Sequence, residues 1–282
     1  KESEKDSYSF LSSHYHEGEF SSYIPIMNGC NNFCSYCIVP YVRGREVSRD
    51  VESIVGEVKF LDSKGVKEIT LLGQNVNSYH SEYQGKEVGF PELLEIITPY
   101  MKNILWGRFE SPHPKDFSSR LISVIRDNPK VAKHIHLPMQ SGSSRILKLM
   151  NRHTTREAFI ELLDRMRSEI KDLTFSTDVI VGFPSETEEE YFETLSMMEI
   201  MGCTEAFMYY FNPREGTRAY DMEGQLDEKT KVKRLERLIN EQLERQKRIK
   251  TSELPFEVKA IVTTISRDDK DRYLVRTEHN EY

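Results

Sequence analysis

Three of the four cysteines stand within eight residues, in the run Gly29-Cys30-Asn31-Asn32-Phe33-Cys34-Ser35-Tyr36-Cys37. A loop of that span can aim three thiolates at one inorganic centre. Three thiolates suit a 4Fe–4S cluster with one iron left open, since a closed cluster takes four cysteines. An open iron is a place for a small molecule to ligate, by the logic that separates catalytic from structural zinc. Two other chemistries use the same residues. Zinc would take a fourth ligand from His14, His16 or His80, none of which stands at a finger-like spacing. A Cys34–Cys37 disulfide is the other, although such pairs are seldom structural inside cells.

The positions around this loop depend on the rest of the chain. Its 282 residues are enough for one large domain, or a large and a small one. The hydrophobic content of 38% is low but globular. No apolar run approaches the ~18 residues of a membrane span. The first six residues, Lys1 to Asp6, have no apolar core and are no signal peptide. The expectation is a cytoplasmic chain with no membrane partner. A net charge of −7 argues against indiscriminate nucleic-acid binding, which needs a large positive field, and leaves room for a local basic patch.

Strands are expected at residues 23–27, 67–72, 104–109, 134–137, 173–181 and 205–211, and helices at 51–61, 91–101, 116–126, 155–170 and 187–201. This alternation predicts an α/β fold with a parallel sheet of βα units. Six units rather than eight predict an open partial (β/α)6 barrel. A long helix follows at 228–250. Its excess of Lys and Arg reads first as a solvated face and second as a phosphate contact. Residues 256–262 and 272–276 then read as strands of a small β unit. The expected division is a linker over 1–21, the barrel over 22–227, the basic helix over 228–250 and the β unit over 251–282.

Active sites of such sheets collect at the C-terminal ends of the strands. The loops there are the cysteine loop, Gly73-Gln74-Asn75, Glu110-Ser111, Gln140-Ser141-Gly142, Gly182-Phe183-Pro184 and Asn212-Pro213-Arg214. Asp178 lies inside an apolar strand, where a carboxylate is rarely without a partner; Arg152 or a ligand hydroxyl would serve. Arg152 itself suits a carboxylate, because guanidinium binds one in a fork; an ion pair with a helix acid is the alternative. His113 is a structural donor about as readily as a catalytic group. Arg43, Arg45 and Arg49 follow the cysteine loop and are candidate contacts to RNA phosphates, with Lys115, Arg214 and Arg218 extending the patch. Cys203 reads as a plain buried thiol.

The cysteine spacing, with the aromatic Tyr36 before the third cysteine, resembles the signature of the radical S-adenosylmethionine (SAM) enzymes. The stretch from Ile26 through Gly44, then Glu46-Val47-Ser48-Arg49, resembles the methylthiotransferase branch of that family. Leu72-Gly73-Gln74-Asn75-Val76-Asn77-Ser78-Tyr79 is similar to its tRNA-acting members rather than to those acting on a ribosomal protein.

The resemblance implies a radical SAM barrel, a long helix and part of a TRAM-like RNA-binding β domain. It implies a 4Fe–4S cluster on Cys30, Cys34 and Cys37, with SAM cleaved there to a 5′-deoxyadenosyl radical. SAM would be held by residues among Tyr36, Gln74, Asn75, Ser111, Gln140, Ser141, Arg152 and Asp178. The acid that many family members carry near Gln74 is missing here. The implied substrate is N6-isopentenyladenosine beside the anticodon of a tRNA, methylthiolated at C2. The implied electron donor is a flavodoxin or ferredoxin. The family also has an N-terminal domain with three further cysteines for a second 4Fe–4S cluster. Only Cys203 is left over here, so the expectation is a fragment. A ribosomal-protein methylthiotransferase, an RNA-binding module and a zinc-stabilised α/β protein are the alternatives.

Overall fold

Parallel pairing of buried strands sets the architecture. In the computed structural model, which describes residue 10, residues 15–252 and residues 258–281, six strands run parallel. They are β1 (Ser21–Pro25), β2 (Glu68–Leu72), β3 (Trp106–Phe109), β4 (His134–His136), β5 (Thr174–Val181) and β6 (Glu205–Tyr210). The order is β1-β2-β3 in one half and β4-β5-β6 in the other. One parallel bridge, Gly107 to Val131, joins the halves; Gly107 donates to Lys130 O at 2.7 Å and accepts from Ala132 N at 3.0 Å. Pairing ends at β1 and β6, so the barrel is open there, as expected from six units.

Helices α1 (Val51–Ser63), α2 (Phe90–Ile97), α3 (Ser119–Asp127), α4 (Arg156–Glu169) and α5 (Glu188–Met201) cover the outside. Side-chain caps start most of them: Asp50, Ser118, Thr155 and Thr187 each accept a backbone N–H from the first turn. Their apolar faces meet the outward side chains of the sheet in one core, with Ile24, Ile69, Ile135 and Val179 fully buried in it. The opposite side chains of each strand face the barrel interior.

Several elements escape the alternation. A hairpin of His80–Tyr83 and Lys86–Gly89 follows β2, and a short helix, Ser144–Leu149, precedes α4. The long helix α6 (Glu228–Ser252) ties itself to the barrel through several of its arginines. Arg234 pairs with Glu186 at 2.6 Å, Arg245 with Glu199 at 2.9 Å and Arg248 with Glu199 at 2.8 Å. These pairings favour the docking reading of that helix over the phosphate reading.

Strands β7 (Ala260–Ile265) and β8 (Tyr273–Thr277) form an antiparallel hairpin. Instead of standing apart, it docks against the N-terminal end of the barrel. Ile261 packs with Trp106 and Ala132. Arg108 donates to the carbonyls of Thr277 (2.7 Å) and Glu278 (3.0 Å), and Arg276 pairs with the fully buried Glu68. Residues 253–257 of the predicted β unit and most of the predicted linker lie outside the described residues.

Candidate active site

The cysteine loop leaves the C-terminal end of β1. Met27–Asn28 pairs with Val47–Ser48, which makes residues 29–46 a closed excursion. Gly29 opens it at φ +77°, and a Cβ there would stand 2.1 Å from Arg45 O, so only glycine fits. Arg45 lies over the Phe33 ring at 4.4 Å, and Tyr41 meets that ring edge-on. The far side is held by the segment after β4. Asn151 Nδ2 donates to the carbonyls of Asn32 and Phe33 at 3.0 Å each, and Ser35 Oγ to Leu149 O at 2.8 Å.

Cys30 and Cys34 are buried, Cys37 is half-buried, and all three thiols are free, which sets the disulfide reading aside. Burial pushes the Cys30 and Cys37 thiols above their ordinary range, so a bound cation must draw them to thiolates. Around one zinc, three sulfurs would stand roughly 3.8 Å apart, given Zn–S bonds near 2.3 Å. Among the described residues, no three His, Cys, Asp or Glu side chains close around a single ion. Three free thiols on one loop are the donor set of a 4Fe–4S cluster with one iron open. Of the histidines considered for zinc, His14 lies outside the described residues.

Among the described residues, Arg152 Nε, His113 Nε2 and Gln74 Oε1 are buried polar atoms without a hydrogen-bond partner. Arg152 donates from Nη1 to Cys34 Sγ at 3.7 Å and from Nη2 to Pro138 O at 2.9 Å, leaving Nε–H free. The backbone N–H of Lys115 donates to His113 Nδ1 at 3.2 Å, which forces the proton onto Nε2. Burial, with the charge of Arg152 behind it, pushes His113 down to about 2, so the ring stays neutral. A buried donor without a partner is costly. Two such donors, Arg152 beside Cys34 and His113 within the field of Arg152, suit an anionic group such as an amino-acid carboxylate, and Gln74 Oε1 suits an ammonium. The orphaned Nε2 of His113, which the sequence left even between structural donor and catalytic group, is visible only in the folded loop.

A hydrogen-bonded chain crosses the barrel interior. His134 joins Thr174 Oγ1 (2.9 Å) and Ser176 Oγ (3.0 Å), Ser176 Oγ joins His136 Nδ1 (3.0 Å), and His136 Nε2 joins Asp178 Oδ2 (3.2 Å). Burial pulls His136 down, but the hydrogen bond and charge of Asp178 outweigh it and hold the ring above its ordinary value. His134, without a carboxylate partner, is pushed by burial to about 3. The partner of Asp178 is therefore His136, not Arg152.

Other predicted residues fall differently. Tyr36 lines a cleft of about 590 Å³ with Ile180, Tyr209, Asn212 and Arg214. Ser111 and Gln140 hold left-handed backbone, at φ +58° and +68°. Asn75 has both ends of its amide engaged, donating to Asp116 Oδ2 (2.9 Å) and accepting from His113 N (3.2 Å). It ties two loops together instead of facing a ligand. Ser141 is likewise turned away: its hydroxyl accepts from Ser143 N at 3.2 Å and lies 3.4 Å from Thr194 Oγ1. Arg49 corrects the phosphate patch. It is 3% exposed and paired with the equally buried Glu57, so it cannot reach an RNA phosphate. Arg43 and Arg45 remain exposed on the rim. Cys203 is fully buried, with its thiol pushed up to about 11 by burial.

The radical SAM superfamily matches residues 24–198, more than half of the chain, and those residues carry the end of β1, the three-cysteine loop and strands β2 to β5. The chain belongs to the radical SAM superfamily. The chain is 44% identical over 278 residues to the tRNA-2-methylthio-N(6)-dimethylallyladenosine synthase of Treponema pallidum, covering 97% of this chain and 61% of that protein. It is 48% identical over 264 residues to the synthase of the same name from Bacteroides fragilis, covering 92% and 57%. The chain thus spans about three fifths of the length of these curated relatives. Among solved structures, the radical SAM methyltransferase TsrM of Kitasatospora setae superposes with a TM-score of 0.57 at 17% identity, over 72% of this chain and 39% of that one. The radical SAM enzyme HemN of Escherichia coli gives 0.56 at 14%, over 79% and 52%. At such identities these two support the fold alone.

A radical SAM chain works with a 4Fe–4S cluster and SAM. The free thiols and the orphaned donors fit that pair.

Proposed function

We propose that this radical SAM chain is the barrel portion of a tRNA methylthiotransferase, which installs a methylthio group at C2 of N6-isopentenyladenosine beside the anticodon. The observation that carries the reading is the 44–48% identity, over 92–97% of this chain, to synthases named for that product. Cys30, Cys34 and Cys37 would hold the cluster. When bound, cluster and SAM together supply a 5′-deoxyadenosyl radical.

The protein's own residues bind and orient. Arg152 Nε–H and His113 Nε2–H would hold the SAM carboxylate as charge-assisted or buried donors, and Gln74 Oε1 its ammonium. Tyr36 and Ile180 would flank the adenine in the cleft beside β6. Ser111 and Gln140 would hold their loops close to the ligand. Arg43 and Arg45 would meet the phosphates of an anticodon stem-loop, positioning it without reading its sequence. A small electron-transfer protein of the flavodoxin or ferredoxin kind would deliver the electron, and the cytoplasm is the compartment where such a tRNA is met. No helix among the described residues is long and apolar enough to cross a membrane.

The test is anaerobic reconstitution with iron and sulfide, followed by SAM and dithionite. The reading expects about four irons per chain and release of 5′-deoxyadenosine. The second arm adds an isopentenylated anticodon stem-loop to a full-length enzyme carrying this barrel, with nucleosides resolved by liquid chromatography. Absence of the methylthio nucleoside there, with SAM cleavage intact, would remove the substrate assignment and leave the radical chemistry.

A further inference from the structure

The strand register fixes which side chains face the barrel interior. Ser176 and Asp178 point inward, because they bond His134 and His136 across from β4. Phe207 and Tyr209 pair with Asp178 and Ile180, so they point the same way. Their neighbours Ala206, Met208 and Tyr210 pack outward against the core beside Leu235. On the other edge strand, Ser22 and Ile24 are buried outward, and Tyr23 faces inward with Thr70.

Phe207, Tyr209 and Tyr23 are nevertheless 43%, 55% and 57% exposed. Phe207 and Tyr209, on one face of the same edge strand, thus present large aromatic surface to solvent from the inside of the barrel. The Phe207 ring meets the imidazole of His136 edge-on, at 5.8 Å between centroids. His136 in turn fixes Asp178, whose side chain is 30% exposed. Behind them, Ser176 and His134 are buried and fully bonded, so the carboxylate is held in place before any ligand arrives. An oriented acceptor thus stands beside an exposed aromatic ring, one step deeper than the Tyr36 cleft.

We infer that the interior at the level of Phe207, His136 and Asp178 is a subsite for an N6-alkylated purine, in which Asp178 accepts a hydrogen bond from the exocyclic N–H and the Phe207 ring covers the alkyl tail. The pairing follows from chemistry. A secondary exocyclic amine keeps one N–H for the carboxylate and carries its apolar substituent away from it. An unsubstituted adenine would satisfy Asp178 and leave the Phe207 ring wet. This inference rests on the proposed substrate class and adds the residues that read it.

Equilibrium dialysis of the reconstituted 282-residue chain tests it, with radiolabelled N6-isopentenyladenosine and adenosine as probes. The isopentenyl nucleoside should bind at least about 10-fold more tightly than adenosine, since apolar pockets discriminate by such factors for each added carbon. Phe207→Ala should remove most of that preference, and Phe207→Leu should restore much of it. Because Phe207 lies outside the packed core, both variants should fold, as circular dichroism would verify. Saturating SAM should leave the nucleoside bound. Equal affinity for the two nucleosides, an unchanged preference in Phe207→Ala, displacement by SAM, or no binding at millimolar nucleoside each overturns the subsite. Nucleoside binding with these properties, together with failure of a full-length enzyme to methylthiolate the stem-loop, would keep the subsite and remove the proposed reaction.

Discussion

Arg152 donates to the sulfur of Cys34 from one arm of its guanidinium and to the carbonyl of Pro138 from the other, across 118 and 14 residues of chain. The side chain is buried, and Nε is the donor left over. Lysine at this position would keep a charge and lose the planar fork. Arg152→Lys should therefore raise the dissociation constant for SAM about 10-fold or more while iron content stays near four per chain. Isothermal titration of SAM into the reconstituted protein, with iron analysis alongside, measures both. Full SAM affinity in the variant would return Arg152 to a purely structural role.

The four cysteines should separate into two classes. Cys34→Ala should bind almost no iron after reconstitution. Cys203→Ala should hold iron normally and lose about 1–2 kcal/mol of stability, as small core truncations do. Iron lost from the Cys203 variant would make that residue a fourth ligand.

Arg49 and Arg45 should part in the same way. Arg49→Ala removes the buried cation of the pair with Glu57, which costs about 3–5 kcal/mol in a denaturant titration. Replacing both by apolar residues of similar volume should recover most of the loss. Arg45→Ala should leave stability within about 1 kcal/mol apart from the contact with Phe33, and should flatten the salt dependence of stem-loop binding by nearly one phosphate contact. A change in salt slope for Arg49→Ala would contradict its burial.

Acid should destabilise the fold earlier than its carboxylates alone require. His113 and His134 are held neutral, at about 2 and about 3, against an ordinary value near 6.5. The unfolded chain therefore binds more protons than the folded one below pH ~6.5, and stability falls with pH throughout that window. Each ring contributes about 2 kcal/mol of loss between pH 7 and pH 5. His136, held above its ordinary value, acts in the opposite sense, and its contribution is lost as pH rises. Urea titrations at pH 5 and pH 7 should show the loss, and His134→Gln should reduce it by roughly half. A pH-independent midpoint over that range would refute the neutral assignment.

The barrel and the cysteine loop were legible because each rests on local pattern. Apolar runs and helical spacing alternate along the chain, and three thiols fall within one loop. What the pattern hid depends on partners far along the chain. Asn75 is a loop amide until Asp116 and His113 take both its ends. Asp178 reads as a partner for any cation until the fold brings the His136 imidazole to its carboxylate. Arg49 carried a weak signal, since Glu57 sits among Ile54, Val58 and Leu61 on the apolar face of α1 and requires a cation. The docking of the final hairpin had no local signature, because Glu68 and Arg276 are 208 residues apart.

That last contact gives the fold a thermodynamic clasp. The carboxylate of Glu68 accepts from Trp106 Nε1 (2.6 Å), Arg108 Nε (2.8 Å) and Arg276, so a single anion serves the second strand, the third strand and the tail. Unlatching the hairpin would leave buried groups at the barrel floor without partners, so opening there should not be a local fraying event. Amide hydrogens of Trp106–Phe109 and Tyr273–Thr277 should exchange with one common opening free energy, and Glu68→Gln should lower it for both segments together.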